Sequence, residues 1–327
     1  MKTIGLFFGG PSNEHEISIK SAQNIARNFD YKKYKLVLIF WDKKGVFYLV
    51  KNINNLSGLK KTVKLENFKS IFDIALLMTH GKFGEDGVLQ SLLESQRIKY
   101  CGCRALSSAL CMDKGLFKQY LFGQKISQVK FAVLDCNLNS DKEISDKISQ
   151  IKSNFKFPIY VKPANSGSSL GITRVENFSK IKAAISIALK HDSKIVIEEG
   201  LLNPKEIEVA VLGNKQLIIS QPGELRLAKD FYDYNDKYKL GEATVVIPAE
   251  ISLAQRNDIL CLAEKIYKLC GCAGFARLDF FIGQGKIYLN EINTLPGFTD
   301  TSMYPMLIMN KGLSYGELIN KIIALAY

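Results

Sequence analysis

Two apolar runs, AGFARLDFFIG at 273–283 and KIYLNEIN at 286–293, flank a turn centred on Gly285 and carry Arg277, Asp279, Glu291 and Asn293 among hydrophobic residues. Strand side chains alternate faces, so Arg277 and Asp279 share one face, as do Glu291 and Asn293. An odd-length turn centred on Gly285 sets Asp279 opposite Glu291. A surface hairpin with ordinary salt bridges is the plain alternative, but the AGFA, FFI and IYL runs predict burial, and buried charge is costly unless something binds it. Two acidic oxygen donors and an amide beside a guanidinium describe a hard-cation site next to a phosphate or a developing oxyanion. On this feature alone a nuclease or a phosphatase fits equally well.

At 327 residues the chain exceeds one ordinary core and predicts two or three α/β domains. Its seven cysteines are an odd number, and Cys101/Cys103 and Cys270/Cys272 are spaced CxC, without the CxxC pairs or nearby histidines of a zinc site. Reduced thiols in a cytoplasmic protein are the expectation. The start, MKTIGLFFGGPSNE, reads as a first strand rather than a signal peptide, and no apolar stretch approaches the length of a membrane span. The net charge of +12 raises nucleic acid as a partner, with the densest lysines between Lys32 and Lys69. Those lysines are scattered among Asn, Leu and Asp, without an arginine-rich helix or an RNA-binding aromatic motif. A solvated face is therefore predicted, with neither nucleic acid nor membrane as partner, and the same field favours an anionic substrate such as ATP.

The run TIGLFF at 3–8 ends in Gly9-Gly10 and is followed by helical spacing over 16–29, then strands at 34–41 and 73–79 and a helix at 86–95. This predicts a small open parallel sheet whose ligand crevice lies at the strand C-termini, where Gly9-Gly10 and His80-Gly81 fall. Helical sequence runs from Ala105 to Gly123, and strands in VKFAVL, FPIYVKP and GITRV with helices at 141–153 and 177–190 complete a second, α+β unit. A third unit takes strands at 195–199, 206–212, 216–221 and 243–247, a helix at 252–270, the hairpin and a last helix at 313–326. The segment KDFYDYNDKYKLGE at 229–242 is too aromatic for a linker and too polar for core.

Pro163-Ala-Asn-Ser-Gly167-Ser168-Ser169-Leu-Gly171 joins two strands with Lys162 at its start, and its glycines and small hydroxyls let backbone amides close on an anion. With the two-carboxylate hairpin downstream, a nucleotide-phosphate cradle is predicted. Neither a Walker A motif nor a GxGxxG is present, which argues against a P-loop NTPase and a nicotinamide enzyme. The strand end Glu198-Glu199-Gly200-Leu201 offers backbone groups and a carboxylate to an adenine, and Glu206 could accept from ribose hydroxyls.

The chain resembles the ATP-grasp superfamily and, within it, the D-alanine–D-alanine ligase family. The resemblance is carried by GGPSNEHEIS at 9–18, HGKFGEDG at 80–87, MDK at 112–114, VKPANSGSSLGI at 161–172, EEG at 198–200, FYDYNDKY at 231–238, ARLDF at 276–280 and NEINTLPGFTDTSMYP at 290–305. It spans nearly the whole chain. It implies an α/β, three-domain ATP-grasp architecture: an N-terminal open parallel sheet that binds substrate (1–103), a central ATP-grasp subdomain (104–192), and a C-terminal subdomain (193–327) with the metal site and a lid loop at 229–242. The implied reaction joins two D-alanines for peptidoglycan precursors through a D-alanyl phosphate. Ligases of the same fold that take D-serine or D-lactate second are the alternative.

Position by position, the resemblance implies that Lys114 and Lys162 bind ATP phosphates, Glu198, Glu199, Gly200 and Leu201 the adenine, and Glu206 the ribose. Asp279, Glu291 and Asn293 would hold two Mg2+ (or Mn2+) ions. Glu14 would receive the first D-alanine's ammonium, linked through Ser168 to Tyr238, and Lys237 would reach the γ-phosphate. Arg277 and the Gly297 amide would support the oxyanion, while Ser302 and the Met303 amide would hold the second carboxylate, with His80 nearby. A homodimer is implied. His15 and His191 read as ordinary surface residues.

Overall fold

The computed structural model describes residues 1–56, 61–227 and 243–327. Its first sheet has the order β3-β2-β1-β4-β5, built from β1 (Thr3–Gly9), β2 (Lys35–Trp41), β3 (Phe47–Val50), β4 (Ile74–Leu77) and β5 (Lys99–Tyr100). β1 pairs in parallel with β2 and β4, and β4 with β5, while the edge strand β3 runs antiparallel to β2. Ile4, Leu6, Phe7 and Phe8 on central β1 are fully buried, as a strand covered on both faces requires. Helix α1 (His15–Arg27) buries Ser18, Ser21, Ala22 and Ile25, one stripe at helical spacing. The shorter α2 (Phe68–Ile71) and α3 (Val88–Ser95) complete this layer. His15 is buried, contrary to expectation: it packs edge-on against Phe40 with ring centroids 5.5 Å apart, and its Nδ1 lies 2.6 Å from the Gly10 carbonyl.

The helical stretch after Ala105 is two helices, α4 (Ala105–Met112) and α5 (Lys114–Gly123). Asp113 between them is extended and caps α5 by accepting from the Leu116 amide at 3.0 Å.

The second sheet, in the order β6-β9-β7-β8, consists of β6 (Phe131–Asp135), β7 (Ile159–Pro163), β8 (Thr173–Val175) and β9 (Lys194–Glu199). Leu134, Ile159, Val161 and Ile197 pack there with Ile151 of α6 (Asp141–Asn154) and Ile181 and Ile185 of α7 (Ile181–Ala188). β9 lies antiparallel between β6 and β7, so its backbone hydrogen bonds belong to the second sheet.

The third sheet runs β13-β12-β10-β14-β15, with β11 paired to β10. Its strands are β10 (Lys205–Gly213), β11 (Leu217–Ile219), β12 (Gly223–Leu227), β13 (Ala243–Val246), β14 (Phe275–Gly283) and β15 (Lys286–Asn293). Helix α8 (Leu253–Leu269) packs its Ile259, Ala263 and Ile266 against Val209, Val211 and Leu278 in one core cluster. Phe275, Phe298, Tyr304 and Leu307, with α9 (Met303–Met309) and α10 (Tyr315–Ala324), instead share the core of the first sheet. The N-terminal sheet and the C-terminal helices are thus one packed body. No helix among the described residues is long and apolar enough to cross a membrane.

The hairpin has the expected register for a different reason. Its turn is the two-residue Gln284-Gly285, both in the left-handed region (φ 52° and 74°), which alone would set Asn290 opposite Asp279. A one-residue slip between Phe280 and Asp279 leaves Asn290 as the extra residue and brings Glu291 opposite Asp279 and Asn293 opposite Arg277. A β-bulge, not an odd turn, aims these side chains.

Candidate active site

The four polar groups of the hairpin form one half-buried network. Arg277 donates to Asp279 twice, Nε to Oδ1 and Nη2 to Oδ2, each at 2.7 Å, and its Nε also lies 2.9 Å from Glu208 Oε2 on the neighbouring β10. Asn293 Nδ2 donates to Asp279 Oδ2 at 2.9 Å. Burial works against the charge of Arg277, but Asp279 and Glu208 more than offset it and hold its pKa above the usual range. Glu291 faces Lys114, whose Nζ is 3.6 Å from its Oε2.

No cluster of three or more His, Cys, Asp or Glu side chains forms a ready-made metal cage among the described residues. Two carboxylates and one amide on one sheet face nevertheless suit magnesium, which binds through one or two carboxylates and completes its shell with water and substrate phosphate oxygens.

Lys114 starts α5 and ties the hairpin to the glycine loop, donating to the Ser166 carbonyl at 2.7 Å. In that loop Ser168 and Ser169 are left-handed (φ 49° and 59°), and the Ser168 hydroxyl donates to Glu14 Oε1. Glu14 is cradled by backbone: a Cβ on Gly81 would stand 2.5 Å from its Oε2, and one on Gly167 2.6 Å. Only glycine lets both loops close so tightly on this carboxylate.

Farther along, Glu198 is 4% exposed and paired with two lysines, Lys118 Nζ at 2.8 Å and Lys162 Nζ at 2.5 Å. Burial alone would raise the Glu198 pKa, but Lys118 and Lys162 pull it down to about 2. Strand alternation turns Glu199 to the opposite face, where Lys130 and the Lys156 amide hold its carboxylate. Gly200 donates to the Pro158 carbonyl at 2.7 Å, Leu201 packs beside Gly283, and Glu206 sits opposite Phe281 on β10.

His80 is buried with both ring nitrogens engaged. Nδ1 faces the Leu295 carbonyl at 2.9 Å and so carries the proton, leaving Nε2 to accept from the Ser21 hydroxyl at 2.9 Å. Burial lowers its pKa against the pull of Glu14, so the ring is neutral and pins the segment that follows β15. In that segment a Cβ on Gly297 would lie 2.8 Å from Ser302 Oγ, and Ser302, the residue before Met303 and α9, accepts from the Thr299 amide at 2.9 Å. Lys237, Tyr238 and the segment 229–242 lie outside the described residues.

Three charged residues at the site were not singled out from sequence: Glu85, Lys118 and Glu208. Glu85 accepts from the Gly81 and Leu295 amides at 3.1 and 3.4 Å. Burial, then the charge of Glu14, raise its pKa to about 7. Lys118 had a readable signal, since it follows Lys114 by four residues on one helix face.

Family models described as D-ala D-ala ligase N-terminus and D-ala D-ala ligase C-terminus match residues 3–103 and 121–324. The D-alanine--D-alanine ligase of Caldicellulosiruptor bescii is 40% identical over 99% of this chain and 94% of its own length, and that of Chlorobaculum tepidum 38% over 99% and 96%. Among solved structures, the VanG D-Ala:D-Ser ligase from Enterococcus faecalis superposes with a TM-score of 0.88 at 34% identity, covering 99% of both chains. The D-alanine-D-alanine ligase from Coxiella burnetii gives 0.83 at 30%, covering 99% of this chain and 95% of the other.

Proposed function

We infer the activity from family membership: the chain belongs to the D-alanine–D-alanine ligase family and catalyses the ATP-dependent joining of two D-alanines, a step of peptidoglycan synthesis. A carboxylate is a poor electrophile, so the first D-alanine's carboxylate takes the γ-phosphoryl group of ATP and ADP leaves. The amine of the second D-alanine then attacks the acyl phosphate, and the tetrahedral intermediate expels phosphate.

Glu14, held by Ser168 and the two glycines, binds the first D-alanine's ammonium, with Tyr238 completing the link. Lys114 and Lys162 bind ATP phosphates and Lys237 the γ-phosphate. Glu198, the backbone from Glu199 to Leu201, and Glu206 take the adenosine. Asp279, Glu291 and Asn293 would hold two magnesium or manganese ions, and such ions would supply charge neutralisation at the transferring phosphate oxygens. Arg277 and the Gly297 amide stabilise the oxyanion of the second step, and Ser302 and the Met303 amide receive the second carboxylate. An acyl phosphate is destroyed by water, so the reaction requires a site that excludes solvent.

The carrying observation is the convergence of three units. Glu14 from the first meets Ser168 of the second, while Lys114 reaches from Ser166 to Glu291 of the third. We divide the chain near Tyr100 and, following the sheets, between Glu199 and Lys205. The reading includes a cytoplasmic homodimer without nucleic-acid or membrane partners, which sedimentation at micromolar concentration checks for stoichiometry. ADP release coupled to D-alanine, compared with D-serine or D-lactate as second substrate, tests the reaction. Release without D-alanine, or dominant turnover of D-lactate, overturns it.

A further inference from the structure

Lys118 is 1% exposed, one of the most deeply buried charged side chains in the described protein, and none of the roles above uses it. It follows Lys114 by one turn of α5, about 6 Å along the axis, so the same helix face that presents Lys114 to the phosphate end presents Lys118 to the base end. Its Nζ is 2.8 Å from Glu198 Oε1 and 5.8 Å from the centre of the Phe131 ring. The other Glu198 oxygen is taken by Lys162 at 2.5 Å.

Counting charge gives this arrangement a purpose. With both lysines on Glu198 the buried cluster carries one net positive charge. The reading of the cleft as a nucleotide site, on which this inference rests, requires Lys162 to turn to an ATP phosphate. Without Lys118, Glu198 would then be a buried carboxylate with no counter-ion, a state costly enough to hold Lys162 back.

We propose that Lys118 is a positioning residue for ATP binding: it keeps Glu198 paired when Lys162 leaves, so that Lys162 is available to the phosphates and Glu198 stays an oriented hydrogen-bond acceptor at the base. The cluster then passes from net +1 to neutral as the anionic ligand arrives, and Glu198 keeps a counter-ion at both stages. The inference predicts that Lys118 matters only while Glu198 is charged.

Calorimetric titration of the full chain with magnesium and ATP, without D-alanine, tests this through a double-mutant cycle. Lys118→Met should weaken ATP binding about tenfold or more, the loss expected when a charged contact is withheld. The KM for D-alanine should stay within about twofold. In the Glu198→Gln background there is no charge to balance, so Lys118→Met should have no further effect on ATP affinity. If Lys118→Met alone does not fold, comparison of Glu198→Gln with Lys118→Met/Glu198→Gln still decides. Equal affinities support the role, and a further loss overturns it. Equal losses in both backgrounds, or no loss in either while the wild type binds ATP, overturn the Lys118 role and leave the nucleotide site standing. A wild type that binds no ATP overturns the nucleotide site, and the Lys118 role with it.

Discussion

Replacing Glu85 with glutamine should change stability with opposite signs at low and high pH. Glu85 is held by the Gly81 and Leu295 amides beside Glu14, and burial, then the Glu14 charge, raise its pKa from the ordinary 4.5 to about 7. A carboxyl with a raised folded-state pKa keeps a proton that the unfolded chain has already lost. Its contribution is therefore full below pH 4.5 and is lost as pH rises toward 7. At about 1.4 kcal/mol per pH unit, the wild type loses about 3 kcal/mol over that window. Glutamine imitates the protonated acid but accepts from only one amide. The weaker contact, to Leu295 at 3.4 Å, would face its NH2 group at a cost of about 1 kcal/mol. At pH 8 Glu85→Gln should therefore be more stable than wild type by about 2 kcal/mol, and at pH 5 slightly less stable. Urea unfolding of both proteins without ligands, from pH 5 to 8, measures this. Parallel midpoints across the range would refute a buried Glu14–Glu85 repulsion. If Glu14 receives an ammonium, D-alanine binding near pH 7 should also release protons from the wild type and none from the variant, read by calorimetry in two buffers.

Glu291→Gln should leave the unfolding midpoint nearly unchanged yet lower turnover about hundredfold or more, since it weakens a proposed metal ligand without changing size. Near-normal rates at saturating magnesium would sink that assignment. Gly167→Ala puts a methyl 2.6 Å from Glu14 Oε2, so the KM for D-alanine should rise about tenfold with little change for ATP, measured by steady-state kinetics. Glu208→Gln leaves Asp279 as the closer carboxylate for Arg277, strengthening the contact that competes with a cation. The magnesium concentration for half-maximal rate should rise, and an unchanged value would contradict the competition.

The parts of this fold that sequence made plain are those set by local pattern. β1 with its Gly9-Gly10 turn and α1 declare themselves through an apolar run, a breaker and a helical stripe, and α6 and α8 carry a capping serine ahead of periodic apolar residues. β5 is two residues long, too short for any alternation to register. α9 is apolar on nearly every side and has Pro305 in its first turn, so it lacks the polar face that marks a surface helix. β9 shows a different limit. Its strand character is local, but which sheet adopts it depends on β6 and β7, whose partners lie some distance back in the chain.

Site residues divide in the same way. Arg277, Asp279, Glu291 and Asn293 were legible because charge inside an apolar strand is anomalous wherever it stands. Their facing was inferred from a turn the protein does not use: two strand errors, an even turn and an unforeseen bulge at Asn290, cancel to give the same register. Had either occurred alone, Glu291 would have been set on the other face of the sheet, since a one-residue slip inverts every side chain beyond it. Glu85 and Lys118 carry no such anomaly, whereas Glu208, between Ile207 and Val209, shares it and could have been read the same way. All three acquire their chemistry from a partner brought by the fold: Glu14 lies 71 positions before Glu85, Glu198 lies 80 after Lys118, and Arg277 lies 69 after Glu208. Sequence therefore reveals the groups proposed to touch phosphate and metal, which are unusual where they stand. The groups that balance them can be ordinary surface residues until the chain closes around them.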